Sequence, residues 1–534
     1  MSTCGEVLVE LLEAYGIDTV FGIPGVHTVE LYRGLPKTKI RHITPRHEQG
    51  AGFMADGFAR AGGRPAACFI ITGPGMTNIA TALGQAYGDS VPLLVISSVN
   101  NSHELGLGEG RLHELPGQRN LVSGVTAFSH SLLRPGELPD VLARAFAVFD
   151  GARPRPVHLE LPIDVITAPG DGIRRGAAGR ASRPAPAAPA VAAAAELLVG
   201  AKSPMVVLGG GAQDAAAEAT ALVDALGAPA LLTINARGVL PPGHPLSLPG
   251  AMPHPPVLAA LEAADAVLAV GTELGETDHL LFGQQLSLKG KVIRVDIDPQ
   301  QLMRTALPEI AICADAGAAL AALTAALPAI QPARRAAGEA RAAALRAEAD
   351  ELLPEAYRLH RRFMAHLDAA LPDCVVVGDS TQPVYGANFF YETRRPRSYF
   401  NSATGFGTLG YALPAALGAK LAVPERPVVS LIGDGGIQFT LAELATAVEL
   451  QLPLAIVLWN NRGYGEIKRY MAERQIPQIG VDIYTPDFQT LAAGFGCAAA
   501  KAESFAHLED LLRRAHRGPG PLLIEIDESE AAGW

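Results

Sequence analysis

Two apolar runs that each end in polar residues constrain the fold of this chain most. The run at residues 428–432 leads into Gly433-Asp434-Gly435, and the run at residues 454–459 leads into Asn460-Asn461. Between them, Thr440-Leu441-Ala442-Glu443 has the form of a capping box, which predicts a helix with Thr440 as its N-cap. A strand, a helix and a second strand in this order form a parallel pair whose carboxyl ends share one edge of a sheet.

The polar residues at that shared edge predict a binding site. Mg²⁺ usually takes one or two carboxylates together with phosphate oxygens of its ligand, and Asp434 and Asn461 offer suitable oxygens. Glycines beside Asp434 let backbone N–H groups approach phosphate. The sequence therefore predicts a site for a divalent cation that carries a diphosphate. The alternative is an ordinary turn with Asp434 as a turn residue, and the spaced asparagine pair argues against it.

Composition limits the possible classes of protein. A length of 534 residues allows about three domains. A net charge of −11 makes nucleic acid an unexpected partner. The five cysteines lack metal-ligand spacing and are expected to be free thiols in a reducing compartment. No basic segment followed by an apolar one opens the chain, and no apolar stretch is long enough to cross a membrane. We therefore expect a cytoplasmic protein without a membrane partner.

Strand-like apolar runs alternate with amphipathic stretches along the whole chain, which predicts α/β domains with parallel sheets. The predicted strands lie at residues 17–21, 66–71, 92–99, 156–161, 205–208, 266–270 and 292–297, besides the two runs described above. Residues 166–188 are expected to be a linker, and residues 331–352 a solvated connecting helix. Gly209-Gly210-Gly211 follows a strand, as in dinucleotide-binding turns, but no clear acidic partner follows about 20 residues later. We interpret this triple glycine as structural.

Motifs in the first unit complete a family resemblance. Glu48 lies in the segment 46–60, and the other motifs are Gly22-Ile23-Pro24-Gly25, Gly73-Pro74-Gly75-Met76-Thr77-Asn78 and Asp89-Ser90-Val91-Pro92. With the predicted cation site, the chain resembles the thiamine-diphosphate enzymes of the acetolactate synthase-like group from about residue 5 to 525. This resemblance implies three doubly wound α/β domains: pyrimidine-binding at 1–165, central at 189–328 and diphosphate-binding at 355–534. It also implies a homodimer or homotetramer with active sites at the subunit interface.

The resemblance assigns roles to single residues. Glu48 would be the catalytic carboxylate held against the pyrimidine ring of the cofactor. Asp434, Asn461 and the carbonyl group of Gly463 would ligate Mg²⁺. The implied cofactors are thiamine diphosphate and Mg²⁺, whereas FAD, found in some relatives, is left open. The remaining residues expected to contact thiamine diphosphate are Pro24, Gly25, Gly73, Asn78, Thr381, Gln382, Gly407, Leu409, Gly433, Gly435, Gly436 and Tyr464.

Two departures from acetolactate synthase favour decarboxylation of a 2-oxo acid. His113 stands where the synthase has an amide, and Glu466 stands where it has an apolar residue. Tyr470 replaces a Trp that lines the acceptor site of the synthase. Imidazole and carboxyl groups can donate a proton, and protonation after CO₂ loss releases an aldehyde. His113 and Glu466 are therefore predicted catalytic residues.

The substrate is predicted from acidic residues and a further resemblance. Glu109, Glu114 and Glu466 could pair with a cationic tail. The runs 112–116 and 378–385 resemble those of the 5-guanidino-2-oxopentanoate decarboxylases of arginine catabolism, which form 4-guanidinobutanal and CO₂. The alternatives are an acetolactate synthase that joins two pyruvates, a sulfoacetaldehyde- or oxalyl-CoA-type relative, and a non-catalytic nucleotide-binding scaffold.

Overall fold

The computed structural model describes residues 2–534 and contains three six-stranded sheets in which every paired strand is parallel. The predicted class, three doubly wound α/β domains, is confirmed, whereas the exact domain limits stay a prediction. Within residues 2–534, none of the helices combines the length and the apolar character that a membrane crossing requires.

The first sheet has the strand order β2-β1-β3-β4-β6-β5. Strands β3 and β4 are buried along their whole length because helices cover both faces of the sheet. The strands are β1 Thr19–Gly22, β2 Arg41–Ile43, β3 Ala66–Ile70, β4 Leu93–Val99, β5 Phe128–Ser131 and β6 Val157–Pro162, and the helices are α1 Cys4–Ala14, α2 Val29–Tyr32, α3 Glu48–Gly62, α4 Pro74–Gly88, α5 Gln118–Leu121, α6 Leu138–Gly151 and α7 Ile163–Ile166.

The central sheet has the order β12-β11-β10-β7-β8-β9, which is the order of dinucleotide-binding folds. Its elements are the strands β7 Met205–Leu208, β8 Ala230–Leu232, β9 Ser247–Pro249, β10 Ala266–Val270, β11 Lys291–Asp296 and β12 Ile310–Cys313 and the helices α8 Ala188–Gly200, α9 Ala216–Leu226, α10 Pro255–Glu262, α11 Glu276–His279 and α12 Ala316–Ala326. A Cβ on Gly211 would lie 2.8 Å from Gly271 Cα, and one on Gly209 would lie 2.2 Å from Gly271 O. These contacts give the triple glycine a packing reason.

The third sheet has the order β14-β13-β15-β16-β18-β17, so it repeats the topology of the first sheet. The connecting helix α13, Pro332–Glu351, precedes it. Its strands are β13 Val375–Gly378, β14 Tyr399–Asn401, β15 Val428–Gly433, β16 Ala455–Asn460, β17 Ala498–Lys501 and β18 Leu522–Asp527, and its helices are α14 Glu355–Ala370, α15 Gln382–Phe390, α16 Ala412–Ala422, α17 Asp434–Ile437, α18 Glu443–Glu449, α19 Gly465–Glu473, α20 Phe488–Gly494, α21 Phe505–Arg517 and α22 Glu528–Ala531.

Helices α3 and α16 join the first and third domains. A Cβ on Gly57 would lie 2.0 Å from Ala415 O, and a Cβ on Gly418 would lie 1.8 Å from Met54 O. Only glycine lets the two helix backbones approach this closely. One hydrophobic core therefore runs across both domains, with Met54 and Leu417 among its buried members.

The predicted capping box at residues 440–443 is wrong. Helix α18 begins at Glu443 with Ala442 as its N-cap residue, and no side chain caps it. The Thr440 hydroxyl group instead donates to Gly410 O over 2.7 Å. The Glu443 carboxylate instead accepts hydrogen bonds from the first domain, as described below. Tertiary contacts thus outweigh a local pattern that fitted the sequence.

Asp89 joins all three domains. Its Oδ2 accepts hydrogen bonds from Arg60 in the first domain at 2.8 Å and from Thr404 in the third at 2.9 Å. Its Oδ1 accepts one from Asn235 in the central domain at 3.1 Å. Arg60 also pairs with Asp56, which is fully buried. The network therefore fixes the domains against one another.

Candidate active site

The predicted cation ligands converge where strands β15 and β16 end. Asp434 is 1 % exposed, and its carboxylate accepts hydrogen bonds from the backbone N–H groups of Asn461 at 3.3 Å and Gly463 at 2.9 Å. Asn461 Oδ1 lies 3.1 Å from Asp434 Oδ1 and 3.0 Å from Gly463 O. Three oxygens from three residues therefore face one another.

This donor set fits Mg²⁺. Three oxygens at these distances repel one another. A cation between them would remove that repulsion. Rotation of the Asn461 amide would also remove it, because its N–H groups would then donate to Asp434 and Gly463 O. Burial raises the pKa of the Asp434 carboxyl group, and a bound cation would favour the charged form. Within residues 2–534 no three His, Cys, Asp or Glu side chains form a metal site. One carboxylate, one amide and one carbonyl group leave coordination positions for ligand phosphate.

The predicted diphosphate contacts surround this point. Thr381 is the N-cap residue of α15 and Gln382 is its first residue. Pro383 has no N–H group and Val384 N–H donates to Thr381 O at 3.0 Å, so among the described residues the N–H group of Gln382 is the one in this turn without a partner. A Cβ on Gly433 would lie 2.9 Å from Thr381 Oγ1. A Cβ on Gly435 would lie 2.7 Å from the ring of Tyr464, and one on Gly436 would lie 3.3 Å from Asp379. A larger residue at position 433 or 435 would therefore force its neighbours to shift, and one at position 436 would make a tight contact.

The segment that carries Gly407 and Leu409 lies beside the third sheet. Gly407 has φ +75°, which favours glycine, and no atom lies within 4 Å of the Cβ position, so its backbone is open. Leu409 is half-buried. Thr408, between them, is anchored to the first domain because its hydroxyl and N–H groups donate to Gln85 Oε1 at 2.9 and 3.2 Å. The segment is thus accessible and fixed.

Glu48 is the first residue of α3 and is partly exposed. Its Oε2 accepts a hydrogen bond of 2.9 Å from Asn78 Nδ2 on α4, so two predicted site residues meet. Among the described residues this is the only side-chain hydrogen bond of Glu48. The carboxylate therefore keeps an oxygen free for a ligand.

Pro24, Gly25 and Gly73 belong to the same half of the site. The N–H group of Gly25 donates to Thr28 Oγ1 at 3.0 Å, and Pro24 is exposed. Gly73 has φ +68° and precedes α4, and its N–H group donates to the buried Gln118 at 3.1 Å. These turns follow the carboxyl ends of β1 and β3 in the first sheet, just as the predicted cation ligands follow the carboxyl ends of β15 and β16 in the third sheet.

His113 lies next to Gly73. A Cβ on Gly73 would lie 2.6 Å from His113 O, and the Thr72 hydroxyl group donates to the same oxygen at 3.3 Å. His113 has φ +58° and its half-buried ring contacts the His27 ring edge-on, with centroids 5.3 Å apart. Burial lowers the pKa of His27. The structure thus holds two imidazoles beside the Gly73 turn.

Glu466 lies at the start of α19, and its Oε2 accepts a hydrogen bond of 2.8 Å from Gln382 Nε2. The other oxygen pairs with Arg469. Tyr470, on the same helix, is 46 % exposed and stacks on Arg474. Because Gln382 is a predicted diphosphate contact, Glu466 lies on the side of the site that holds the predicted cation ligands Asp434 and Asn461, called the cation half below.

The acidic residues Glu109 and Glu114 already have partners. Glu114 accepts hydrogen bonds from the N–H groups of Gly108 and Arg111, both 2.9 Å, which lower the pKa of its carboxyl group. Arg111 pairs with Glu109 at 2.8 Å and with Glu104 at 2.9 Å. These acids therefore hold their own loop together, and a cationic tail would have to compete with Arg111.

A cavity of about 460 Å³ adjoins the cation half. It lies between α14 and the carboxyl ends of β16 and β18, and its lining includes Gln382, Asn461 and His360. His360 is buried, and burial lowers its pKa to about 4, so it is neutral at physiological pH. The cavity offers room beside the predicted phosphate contacts.

Sequence reasoning missed three residues of the site region. Asp379 is fully buried and follows an apolar strand, which is the same pattern that identified Asp434. His27 follows the Gly22–Gly25 motif, but a lone histidine carries no distinctive signal. The sequence pattern predicts only a helix-capping role for Glu443, and nothing in a single sequence shows its contact with the first domain.

Comparison with known proteins identifies the family. Three family models match the chain: the N-terminal TPP-binding domain of thiamine pyrophosphate enzymes at residues 2–121, their central domain at 191–323 and their C-terminal TPP-binding domain at 379–526. The chain belongs to the thiamine pyrophosphate enzymes. The family resemblance of its motifs is thereby confirmed, and its two TPP-binding domains are those that carry Glu48 and Asp434.

Individual relatives within the thiamine pyrophosphate enzymes are similar over nearly the whole chain. The protein named probable 2-ketoarginine decarboxylase AruI, from Pseudomonas aeruginosa, is 48% identical over 98% of this chain and 94% of its own length. The acetolactate synthase isozyme 1 large subunit of Escherichia coli is 34% identical, covering 98% and 93%. The X-ray structure of a chain described as a thiamin diphosphate-dependent enzyme from Mycobacterium smegmatis superposes with a TM-score of 0.82 at 25% identity, covering 99% of both chains.

Proposed function

We propose that this chain catalyses the thiamine-diphosphate- and Mg²⁺-dependent decarboxylation of 5-guanidino-2-oxopentanoate to 4-guanidinobutanal and CO₂. The observation that carries the proposal is the 48% identity with the 2-ketoarginine decarboxylase, against 34% with the acetolactate synthase. The reaction consumes one proton, because the bond from the carboxylate carbon breaks and a hydrogen takes its place. A proton donor is therefore required beside the reacting carbon.

The C-terminal domain would hold the cofactor. Asp434, Asn461 and Gly463 O would hold Mg²⁺ and, with it, the diphosphate group, and Thr381 and Gln382 would contact phosphate oxygens. Thiamine diphosphate, when bound, supplies the electron sink for cleavage of the carbon–carbon bond.

The first domain would control protons at the pyrimidine end. Glu48 would hold a proton at a ring nitrogen of the pyrimidine, and Asn78 fixes the orientation of its carboxylate through the 2.9 Å hydrogen bond. The chain would act as a homodimer or homotetramer, so that Glu48 of one subunit meets Asp434 of another.

His113 and Glu466 are the proposed proton donors. The His113 imidazole is held beside the Gly73 turn, and Glu466 is held by Gln382. A donor on either side of the substrate would complete the aldehyde before a second carbonyl compound is attacked. This distinguishes the proposal from acetolactate synthase activity, in which the fragment left after loss of CO₂ is joined to a second 2-oxo acid.

The test is a product assay with purified protein, thiamine diphosphate and Mg²⁺. CO₂ and aldehyde are measured with 5-guanidino-2-oxopentanoate, with an uncharged 2-oxo acid of similar length, and with pyruvate. We expect aldehyde and CO₂ in equal amounts and the highest kcat/KM for the guanidino acid. Acetolactate from pyruvate without aldehyde from the guanidino acid would overturn the proposal. Visible absorbance of the purified protein decides whether FAD is bound.

A further inference from the structure

Glu443 is a buried carboxylate whose hydrogen bonds cross between two domains. It is 0 % exposed and is the first residue of α18 in the C-terminal domain. Its Oε1 accepts hydrogen bonds from the backbone N–H groups of Arg46 at 3.0 Å and His47 at 3.1 Å. Its Oε2 accepts from the Arg46 N–H group at 3.1 Å and from the Thr446 hydroxyl group at 2.7 Å. Both oxygens are therefore fully used.

The two backbone donors directly precede the catalytic helix. His47 is the N-cap residue of α3, and Glu48 is its first residue. A carboxylate at this end is also favoured by the partial positive charge of a helix N-terminus. A Cβ on Gly50 would lie 2.2 Å from Glu443 Oε1, so the first turn of α3 rests directly against the carboxylate.

We propose that Glu443 is a positioning residue, which holds the start of α3 so that the Glu48 carboxylate keeps its place against the cofactor. The inference rests on the proposed function, in which Glu48 is the catalytic carboxylate. Burying a carboxylate costs free energy unless it is well hydrogen-bonded, and an apolar side chain would fill this space at no such cost. A polar side chain is required here because two adjacent backbone N–H groups need an oxygen acceptor in a fixed position, and Oε1 of Glu443 accepts from both.

The chain offers a matched control on the same helix. Glu449 also contacts Arg46, but through the guanidinium group, and its side chain is 57% exposed. Exposed ion pairs contribute little to stability. The variant Glu449→Ala thus removes a contact between the same two segments without affecting the backbone of residues 46 and 47.

The first measurement is steady-state kinetics of the loaded enzyme. For Glu443→Ala we expect kcat to fall about tenfold or more with KM changed less than about threefold, because a small displacement of a catalytic group slows the chemical step. Glu443→Gln keeps an oxygen for the two N–H groups and an amide for Thr446, so kcat should stay within about threefold of the wild type. Glu449→Ala should leave kcat unchanged.

The second measurement needs no activity and separates this inference from the proposed function. Hydrogen–deuterium exchange of the cofactor-free protein should be faster in Glu443→Ala for peptides covering residues 44–53, and unchanged in Glu443→Gln and Glu449→Ala. Native kcat in Glu443→Ala, or faster exchange throughout the C-terminal domain, would overturn the positioning role. Native exchange with slow turnover in Glu443→Gln would also overturn it. Failure of the proposed function would instead appear as a wild type without aldehyde release.

Discussion

Buried carboxylates that accept backbone N–H groups recur among the single residues of this site. Asp434 binds the N–H groups of Asn461 and Gly463, and Glu443 binds those of Arg46 and His47. Asp379, fully buried behind Gly436, accepts from Ser380 at 2.8 Å and Ala412 at 3.3 Å. Burial raises the pKa of all three carboxyl groups. Each therefore fixes a loop through its hydrogen bonds at some cost in stability.

The Asp379 carboxyl group predicts a pH dependence of stability. Burial raises its pKa to about 6, above the value of an unfolded chain, so the folded state binds the proton more tightly. The stabilisation is present below about pH 4 and is lost as pH rises through about 6, with a size on the order of 3 kcal/mol. Thermal unfolding of the wild type and Asp379→Asn between these pH values tests this. We expect the wild type to lose stability relative to the variant as pH rises; a constant difference would contradict it.

Glu48→Gln tests the proposed catalytic role of the first residue of α3. The Gln oxygen can still accept the hydrogen bond from Asn78, so geometry is kept while the acid–base group is lost. We expect turnover to fall about 10²-fold or more, the scale of a positioned acid–base group, with an unchanged thermal unfolding midpoint. Glu355→Gln, at the exposed first residue of α14, is the control. Near-native turnover in Glu48→Gln would remove this residue from the mechanism.

At the scale of elements, local patterns predicted positions well and contacts poorly. The strands Met205–Leu208 and Ala266–Val270 have the predicted limits, because buried parallel strands are continuous apolar runs. The apolar runs before Asp434 and Asn461 likewise predict two parallel strands whose carboxyl ends bring these residues to one edge of the sheet. The capping box failed, because Thr440 and Glu443 bond to Gly410 and to the first domain, and such long-range partners leave no periodic signal.

The crossing of α3 and α16 predicts a strong effect of one methyl group. In Gly418→Ala the new Cβ would lie 1.8 Å from Met54 O, which is backbone and cannot move aside. We expect a loss of roughly 1–3 kcal/mol or more, seen as a clearly lower thermal unfolding midpoint. Gly494→Ala is the control, because no atom lies within 4 Å of that Cβ position in α20, and its midpoint should be unchanged or slightly higher. Equal midpoints for both variants would show that the helices can separate freely.

For the whole molecule, the motifs predicted three domains but not how they are joined. The Asp89 hydrogen-bond network involves Arg60, Asn235 and Thr404, which are far apart in the sequence and of ordinary residue types, so no sequence motif marks it.

The motifs likewise predict the two parts of the site, Glu48 in the first domain and Asp434 in the third, without showing how they come together. In one chain the Glu48 side chain bonds only to Asn78 among the described residues. Two apolar side chains are exposed: Leu112, next to His113 in the chain, is 64 % exposed, and Phe439, three residues after Gly436, is 54 % exposed. A second subunit would cover such surface.

A hybrid of two inactive variants tests whether each active site is shared. Subunits carrying Glu48→Gln and subunits carrying Asp434→Ala are co-expressed with different tags, and the hybrid is purified through both. If each site takes Glu48 from one subunit and Asp434 from the other, a hybrid dimer contains one intact site and one doubly altered site, and its activity should be about half that of the wild type. The two variants purified alone, at equal concentration, are the controls. If both residues of a site belonged to one chain, every site in the hybrid would be altered, and its activity would not exceed that of the variants alone.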